Sequence, residues 1–158
     1  MNEEVHILYV EDNPHDRELA LDALEIEDSR FRVTLAGSRA EFEAAIASGR
    51  FDLVLSDFNI LGFEGLQVLE AVHRRDPNMP VVIVTGTGSE EIAVEAMKSG
   101  AADYVIKSPR HIQRLPFTIQ AALERKRLSV EREQAHDALR RSEERYRTIF
   151  DGVQDAIF

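Results

Sequence analysis

The chain of 158 residues contains no cysteine, which excludes a disulfide framework and thiolate zinc sites. It has no apolar run approaching the roughly 18 residues of a membrane-spanning helix. Its start, Met1-Asn2-Glu3-Glu4, is acidic where a secretory signal is basic. Bases are in short supply, with 19 Lys and Arg against 29 Asp and Glu and a formal net charge of −10. Phosphate backbones and anionic lipids attract the opposite sign, so no direct nucleic-acid or membrane contact is expected, and the expected partners are cationic or metal-bound. A cytoplasmic location is the expectation. The imbalance is local: residues 1–115 hold 21 acids and 11 bases, whereas residues 116–158 hold 8 of each.

Within residues 1–115, short apolar runs alternate with segments of helical periodicity. Val5–Val10, Phe31–Ala36, Leu53–Ser56, Val81–Thr85 and Asp103–Ile106 read as strands. Most are continuously apolar, as a parallel sheet covered on both faces requires. Helix punctuation separates them. Asn13-Pro14 is an N-cap with an N1 proline, and Ser38-Arg39-Ala40-Glu41 is a capping box. Ser89 with Glu90 and Glu91 opens a helix that Gly100 closes, and another runs from Gly65 to about Arg75, before Pro77 and Pro80. Five βα units predict an open, doubly wound α/β sheet whose ligands bind beyond the carboxyl ends of the strands.

Those ends carry Glu11 and Asp12 after the first strand, Asp57 after the third, Thr85 at the fourth and Lys107 after the fifth; the second ends in Ala36-Gly37, without a functional group. Two unit charges about 4 Å apart cost roughly 4 kcal/mol at an effective dielectric of 20, so three converging carboxylates need neutralising. With Lys107 the formal sum is −2, which one divalent cation cancels. An all-oxygen donor set suits magnesium rather than zinc.

As a spaced set, Glu11-Asp12, the lone Asp57 after Leu53-Val54-Leu55-Ser56, Thr85-Gly86, and Lys107 after Asp103-Tyr104-Val105-Ile106 resemble the receiver domain of bacterial two-component response regulators. The resemblance covers about Val5 to Leu115. It implies a flavodoxin-like (βα)5 fold with strand order 2-1-3-4-5, and Asp57 as acceptor of a phosphoryl group from the phosphohistidine of a kinase or phosphotransfer protein. It further implies Mg²⁺ on Asp12, Asp57 and the backbone carbonyl of Asn59, with Glu11 acting through water. Lys107 would offset phosphoryl charge, Thr85 would bond the transferred group, and Tyr104 would rotate inward. Asn59 occupies a position that influences how fast the group is lost. Such a chain is a signalling receiver that catalyses its own phosphorylation and dephosphorylation rather than a conventional enzyme.

Three positions depart from the family pattern: Leu61 where proline is usual, Glu64 where aspartate is usual, and Ser108 in place of the proline after the lysine. Without that proline a trans peptide after Lys107 is expected, and Ser108-Pro109 reads as N-cap and N1 of the last helix. Gly86-Thr87-Gly88-Ser89 reads as a flexible turn beside the site rather than a phosphate cradle, since no Walker lysine follows. His136 reads as an ordinary exposed helical histidine, and His6, His15, His73 and His111 lack metal-ligand spacing.

From His111 to about Phe150 one continuous helix is expected. Arg125, Arg132, Leu139 and Tyr146 alternate with Leu128, Ala135, Ser142 and Ile149 at heptad spacing, which predicts a homodimer through a parallel signalling helix. Residues 142–158, from Ser142-Glu143-Glu144-Arg145-Tyr146 to Ala156-Ile157-Phe158, resemble the opening of a PAS sensory domain. The expected division is therefore a receiver over 1–115, a signalling helix over 116–141, and a truncated PAS start over 142–158 of a longer protein. Two other functions compete with this one. A phosphorylation-independent dimerising scaffold would retain no need for the site. An aspartyl-phosphate hydrolase of the haloacid-dehalogenase type would normally carry a second Asp where this chain has Asn59.

Overall fold

Each of the five apolar runs forms a strand over the expected residues: β1 (Val5–Val10), β2 (Phe31–Ala36), β3 (Leu53–Ser56), β4 (Val81–Thr85) and β5 (Asp103–Ile106). The computed structural model describes residues 3–27, 30–60, 63–86 and 90–157. The strands make one parallel sheet in the order β2-β1-β3-β4-β5. This is the flavodoxin-like arrangement. Between them lie α1 (Pro14–Glu27), α2 (Arg39–Ser48), α3 (Gly65–Arg75) and α4 (Glu90–Lys98), with α5 (Leu115–Ile157) after β5. A short antiparallel ladder, Asn59 with Glu64 and Ile60 with Phe63, follows β3. No periodicity signals it, because two-residue strands are too short to alternate.

The continuous apolar runs are explained by two cores, one on each face. Ile7 and Tyr9 of β1, with Leu53, Leu55, Val82, Val84 and Val105, pack against Ala20 and Leu24 of α1 and Leu115, Ile119 and Ala122 of α5. Leu8 and Val10, with Val54 and Ile83, pack against Phe42 of α2, Val68, Leu69 and Val72 of α3, and Ala96 of α4. Successive strand residues point to opposite faces, so every position of a doubly covered strand must be apolar.

Several local expectations need correction. Ser38 caps α2, its Oγ accepting the Glu41 N–H at 3.2 Å, but the Glu41 carboxylate takes the N–H of Gly37 at 2.7 Å rather than that of Ser38. The box is thus closed one residue early. The last helix does not start at His111 or at a Ser108-Pro109 cap. Pro116 lacks an N–H and is tolerated only in a first helical turn, so α5 begins at Leu115 after a 3₁₀ turn over Ile112–Arg114. Ser108 instead closes a turn of its own, its carbonyl accepting the N–H groups of His111 and Ile112 at 3.1 and 2.9 Å. At the other end α5 continues past Phe150 to Ile157. The Lys107–Ser108 peptide is trans. The expected Ser89 cap, the Thr87-Gly88-Ser89 part of the glycine turn, and Leu61 lie outside the described residues.

The chain divides into two compact units, residues 1–123 and 124–158, so that the first turns of α5 belong to the core of the first. In the second, Arg127 pairs with Glu124 and Glu131, at 2.5 and 2.7 Å, and Leu128, Leu139, Tyr146 and Ile149 are exposed. His136 is exposed, as expected. No helix among the described residues is long and apolar enough to cross a membrane.

Two phenylalanines separate core from surface. Phe42 is 2 % exposed and Phe117 is 69 % exposed. In urea unfolding, Phe42→Ala is expected to cost about 3–5 kcal/mol and Phe117→Ala to stay within about 0.5 kcal/mol of the parent chain.

Candidate functional site

The ladder continues past the strands and sets the acidic edge. In register, Val10 of β1 lies beside Ser56 of β3, and Thr85 of β4 beside Ile106 of β5. One residue further on, Glu11 N–H donates to the Ala36 carbonyl (2.9 Å), Asp57 N–H to the Val10 carbonyl (3.0 Å) and Lys107 N–H to the Thr85 carbonyl (2.7 Å). The side chains of Glu11, Asp57 and Lys107 therefore leave the same edge of the sheet. Glu11 and Thr85 are buried, and Asp57 is 8 % exposed.

Asp57 is held at both oxygens. Its Oδ1 accepts the Phe58 N–H at 2.7 Å, and its Oδ2 lies 3.1 Å from Lys107 Nζ. Lys107 Nζ also bonds Glu11 Oε2 at 2.6 Å and Asp16 Oδ2 at 2.9 Å. The other Glu11 oxygen accepts the Asn13 N–H at 3.1 Å. The loop after Asp57 is tied back by the Gly65 N–H, which donates to the Phe58 carbonyl at 2.7 Å. A Cβ at Gly65 would sit 2.5 Å from the Asp57 carbonyl oxygen and 2.9 Å from Phe58 Cα, so only glycine permits this approach.

Carboxylate oxygens of Glu11, Asp12 and Asp57 come within 4.8 Å of one another. Hard oxygen donors in a partly open acidic cluster fit a magnesium-type cation. Among the described residues no other group of His, Cys, Asp and Glu could hold a metal. Asp16, absent from the set expected from strand ends, adds a fourth carboxylate. The formal sum over Glu11, Asp12, Asp16, Asp57 and Lys107 is −3 rather than −2. Its signal in the sequence is faint, since an acid in the first turn of a helix also reads as a complement to the helix dipole.

Burial, hydrogen bonds and these charges together shift the titrations. Burial pushes the Glu11 carboxyl up to about 7; the Lys107 and Asn13 hydrogen bonds pull it down, and the charge of Asp57 adds to the rise. For Lys107, burial favours the neutral amine, but the bonds to Glu11 and Asp16 and the charge of Asp57 outweigh it and hold the ammonium above its ordinary value. Tyr9 is fully buried, its hydroxyl has no hydrogen-bond partner among the described residues, and its phenol is raised first by burial and then by Glu11, Asp57 and Asp16.

The remaining expected residues are placed as follows. Thr85 is buried at the end of β4, its carbonyl on Lys107. Asn59 starts the short ladder two residues after Asp57. Tyr104 lies partly buried against the α2–α3–α4 core, and burial raises its phenol. Arg17 was not legible at all: its Nε donates to the Glu11 carbonyl at 2.7 Å, and its guanidinium occupies the place of the missing side chain of Gly37, where a Cβ would lie 2.0 Å from one of its nitrogens.

The family model for the response regulator receiver domain matches residues 7–120. The chain is 37 % identical over 127 residues to the transcriptional regulatory protein ZraR of Klebsiella oxytoca, covering 80 % of this chain and 28 % of that protein. It is 36 % identical over 118 residues to the response regulator protein FleR of Pseudomonas aeruginosa, covering 75 % and 23 %. The chain thus spans about a quarter of the length of these curated relatives. A receiver domain from Methanospirillum hungatei superposes with a TM-score of 0.68 at 29 % identity, covering 80 % of this chain and 99 % of that one. NtrX from Brucella abortus does so with 0.73 at 30 %, covering 83 % and 29 %.

Glu11 makes a pH prediction. Its folded value lies above its ordinary 4.5, so between about pH 4.5 and 7 the folded chain keeps a proton that the unfolded chain has lost, and stability falls as pH rises through that window. Urea titrations in metal-free buffer should show Glu11→Gln gaining on the parent chain by on the order of 2 kcal/mol from about pH 5 to about pH 7.

Proposed function

Because the chain belongs to the response regulator receiver domain family of two-component signalling, we propose that Asp57 accepts a phosphoryl group from the phosphohistidine of a histidine kinase or phosphotransfer protein. The observation that carries this is the state of Asp57: nearly buried, with Oδ1 on the Phe58 N–H and Oδ2 3.1 Å from the Lys107 ammonium. An Asp57 carboxylate oxygen attacks phosphorus, the P–O bond forms as the P–N bond breaks, and the imidazole leaves with the electron pair. Asp12, Asp57 and the Asn59 carbonyl would hold Mg²⁺, with Glu11 acting through water. When bound, that ion supplies positive charge to the phosphoryl oxygens. Lys107 offsets the remaining charge, and its bonds to Glu11 and Asp16 keep it at the site. Thr85 bonds the transferred group through its hydroxyl, and Tyr104 turns inward. Loss of the group to water at the same residues resets the switch.

The signal leaves through α5. In this reading, residues 1–115 are the receiver, 116–141 a signalling helix and 142–158 the start of a PAS domain, in a cytoplasmic protein. Leu128, Leu139, Tyr146 and Ile149, the exposed large hydrophobic residues of the second unit among those described, all fall on the heptad seam, which supports a parallel homodimer.

Acetyl phosphate with Mg²⁺ is expected to add one phosphoryl group by intact-mass spectrometry, and Asp57→Asn to add none; an unmodified parent chain or a modified variant would sink the assignment. In sedimentation velocity the parent chain is expected to run as a dimer and the double substitution Leu128→Glu, Leu139→Glu as a monomer.

A further inference from the structure

An ammonium has three N–H donors, and Lys107 Nζ has three carboxylates around it: Glu11 at 2.6 Å, Asp16 at 2.9 Å and Asp57 at 3.1 Å. The lysine side chain is only 4 % exposed, so its donors have little recourse to water. Asp16 reaches it from a fixed base. It lies in the first turn of α1, where Asn13 Oδ1 accepts the N–H groups of His15 (2.9 Å) and Asp16 (3.3 Å). Asn13 is itself tied to Glu11 through its N–H, and Arg17, next along the helix, clamps the Glu11 carbonyl. The start of α1 is therefore locked onto the end of β1, and two of the three carboxylates that grip Lys107 ride on this one lock.

Of the three, Glu11 and Asp16 are not the atoms that react. We propose that Asp16 is a positioning residue for phosphoryl transfer: with Glu11 it holds two donors of Lys107, so that the third, now facing Asp57 Oδ2, is left aimed at the phosphoryl group. The proposal rests on the reading of Asp57 as phosphoacceptor. A complement to the helix dipole would leave Asp16 in solvent and would not require its carboxylate 2.9 Å from a lysine 91 residues away.

Charge alone predicts the opposite effect, which makes the inference testable. Removing a negative charge beside the site should favour an anionic phosphodonor, so at saturating Mg²⁺ a purely electrostatic Asp16 would make Asp16→Asn faster. A positioning Asp16 makes it slower, by about tenfold, while Asp16→Glu recovers part of the rate. The readout that does not depend on activity is the ¹H–¹⁵N resonance of the Lys107 ammonium, assigned by its loss in Lys107→Met. In the absence of phosphodonor it is expected to be sharp in the parent chain and broadened in Asp16→Asn, as its protons gain access to water. An unchanged Lys107 resonance in Asp16→Asn, or a phosphorylation rate equal to or above the parent's at saturating Mg²⁺, would overturn the proposal. If the parent chain takes no phosphoryl group, the reading of Asp57 has failed, and the ammonium resonance still decides whether Asp16 holds Lys107.

Discussion

One ammonium shared among carboxylates is the constraint to which much of this architecture answers. β1 and β5 are separated by β3 and β4, about 14 Å at the usual strand spacing, yet Lys107 Nζ and Glu11 Oε2 are 2.6 Å apart. Two long side chains must lean toward the middle of the sheet edge to meet. Glu11 therefore cannot be an aspartate without shortening that reach. Repulsion of roughly 4 kcal/mol for each close pair of like charges is what Lys107 offsets; the Glu11 carboxyl stays elevated chiefly because it is buried, with the charge of Asp57 adding to the rise.

How far this was legible depends on whether a feature is local in the chain. The strands were legible to the residue because a doubly covered sheet imposes one simple composition, visible in runs such as Leu53-Val54-Leu55-Ser56. Glu11, Asp57, Thr85 and Lys107 followed from position alone, since the ends of parallel strands share an edge. Asp16 did not: it is four residues beyond the acidic pair, and only a contact with a residue 91 positions away distinguishes it from a helix-start acid. Gly65 escaped for a similar reason, since the atoms that forbid it a side chain belong to Asp57 and Phe58.

The helix ends differ from the sequence pattern for another reason. Pro116, whose missing N–H confines it to a first turn, moves the start of α5 from the expected His111 to Leu115. The capping box at Ser38 had the right partners in the wrong register, because the Glu41 side chain is long enough to pass Ser38 and reach Gly37. The composition change after residue 115 and the division of the chain after Leu123 are close. The first turns of α5 carry Leu115, Ile119 and Ala122 into the core, beyond which no apolar face is needed to cover the sheet.

The end of β2 looked empty, a strand finishing in Ala36-Gly37 with nothing to contribute. Its contribution is room. Arg17 fills the volume that any side chain at position 37 would claim, and from there it holds the carbonyl of Glu11. A methyl group at position 37 would meet the tip of that flexible side chain and press first on the guanidinium whose Nε holds the Glu11 carbonyl. The strand that carries no functional group thus reaches the acidic pair through the side chain for which its glycine makes room.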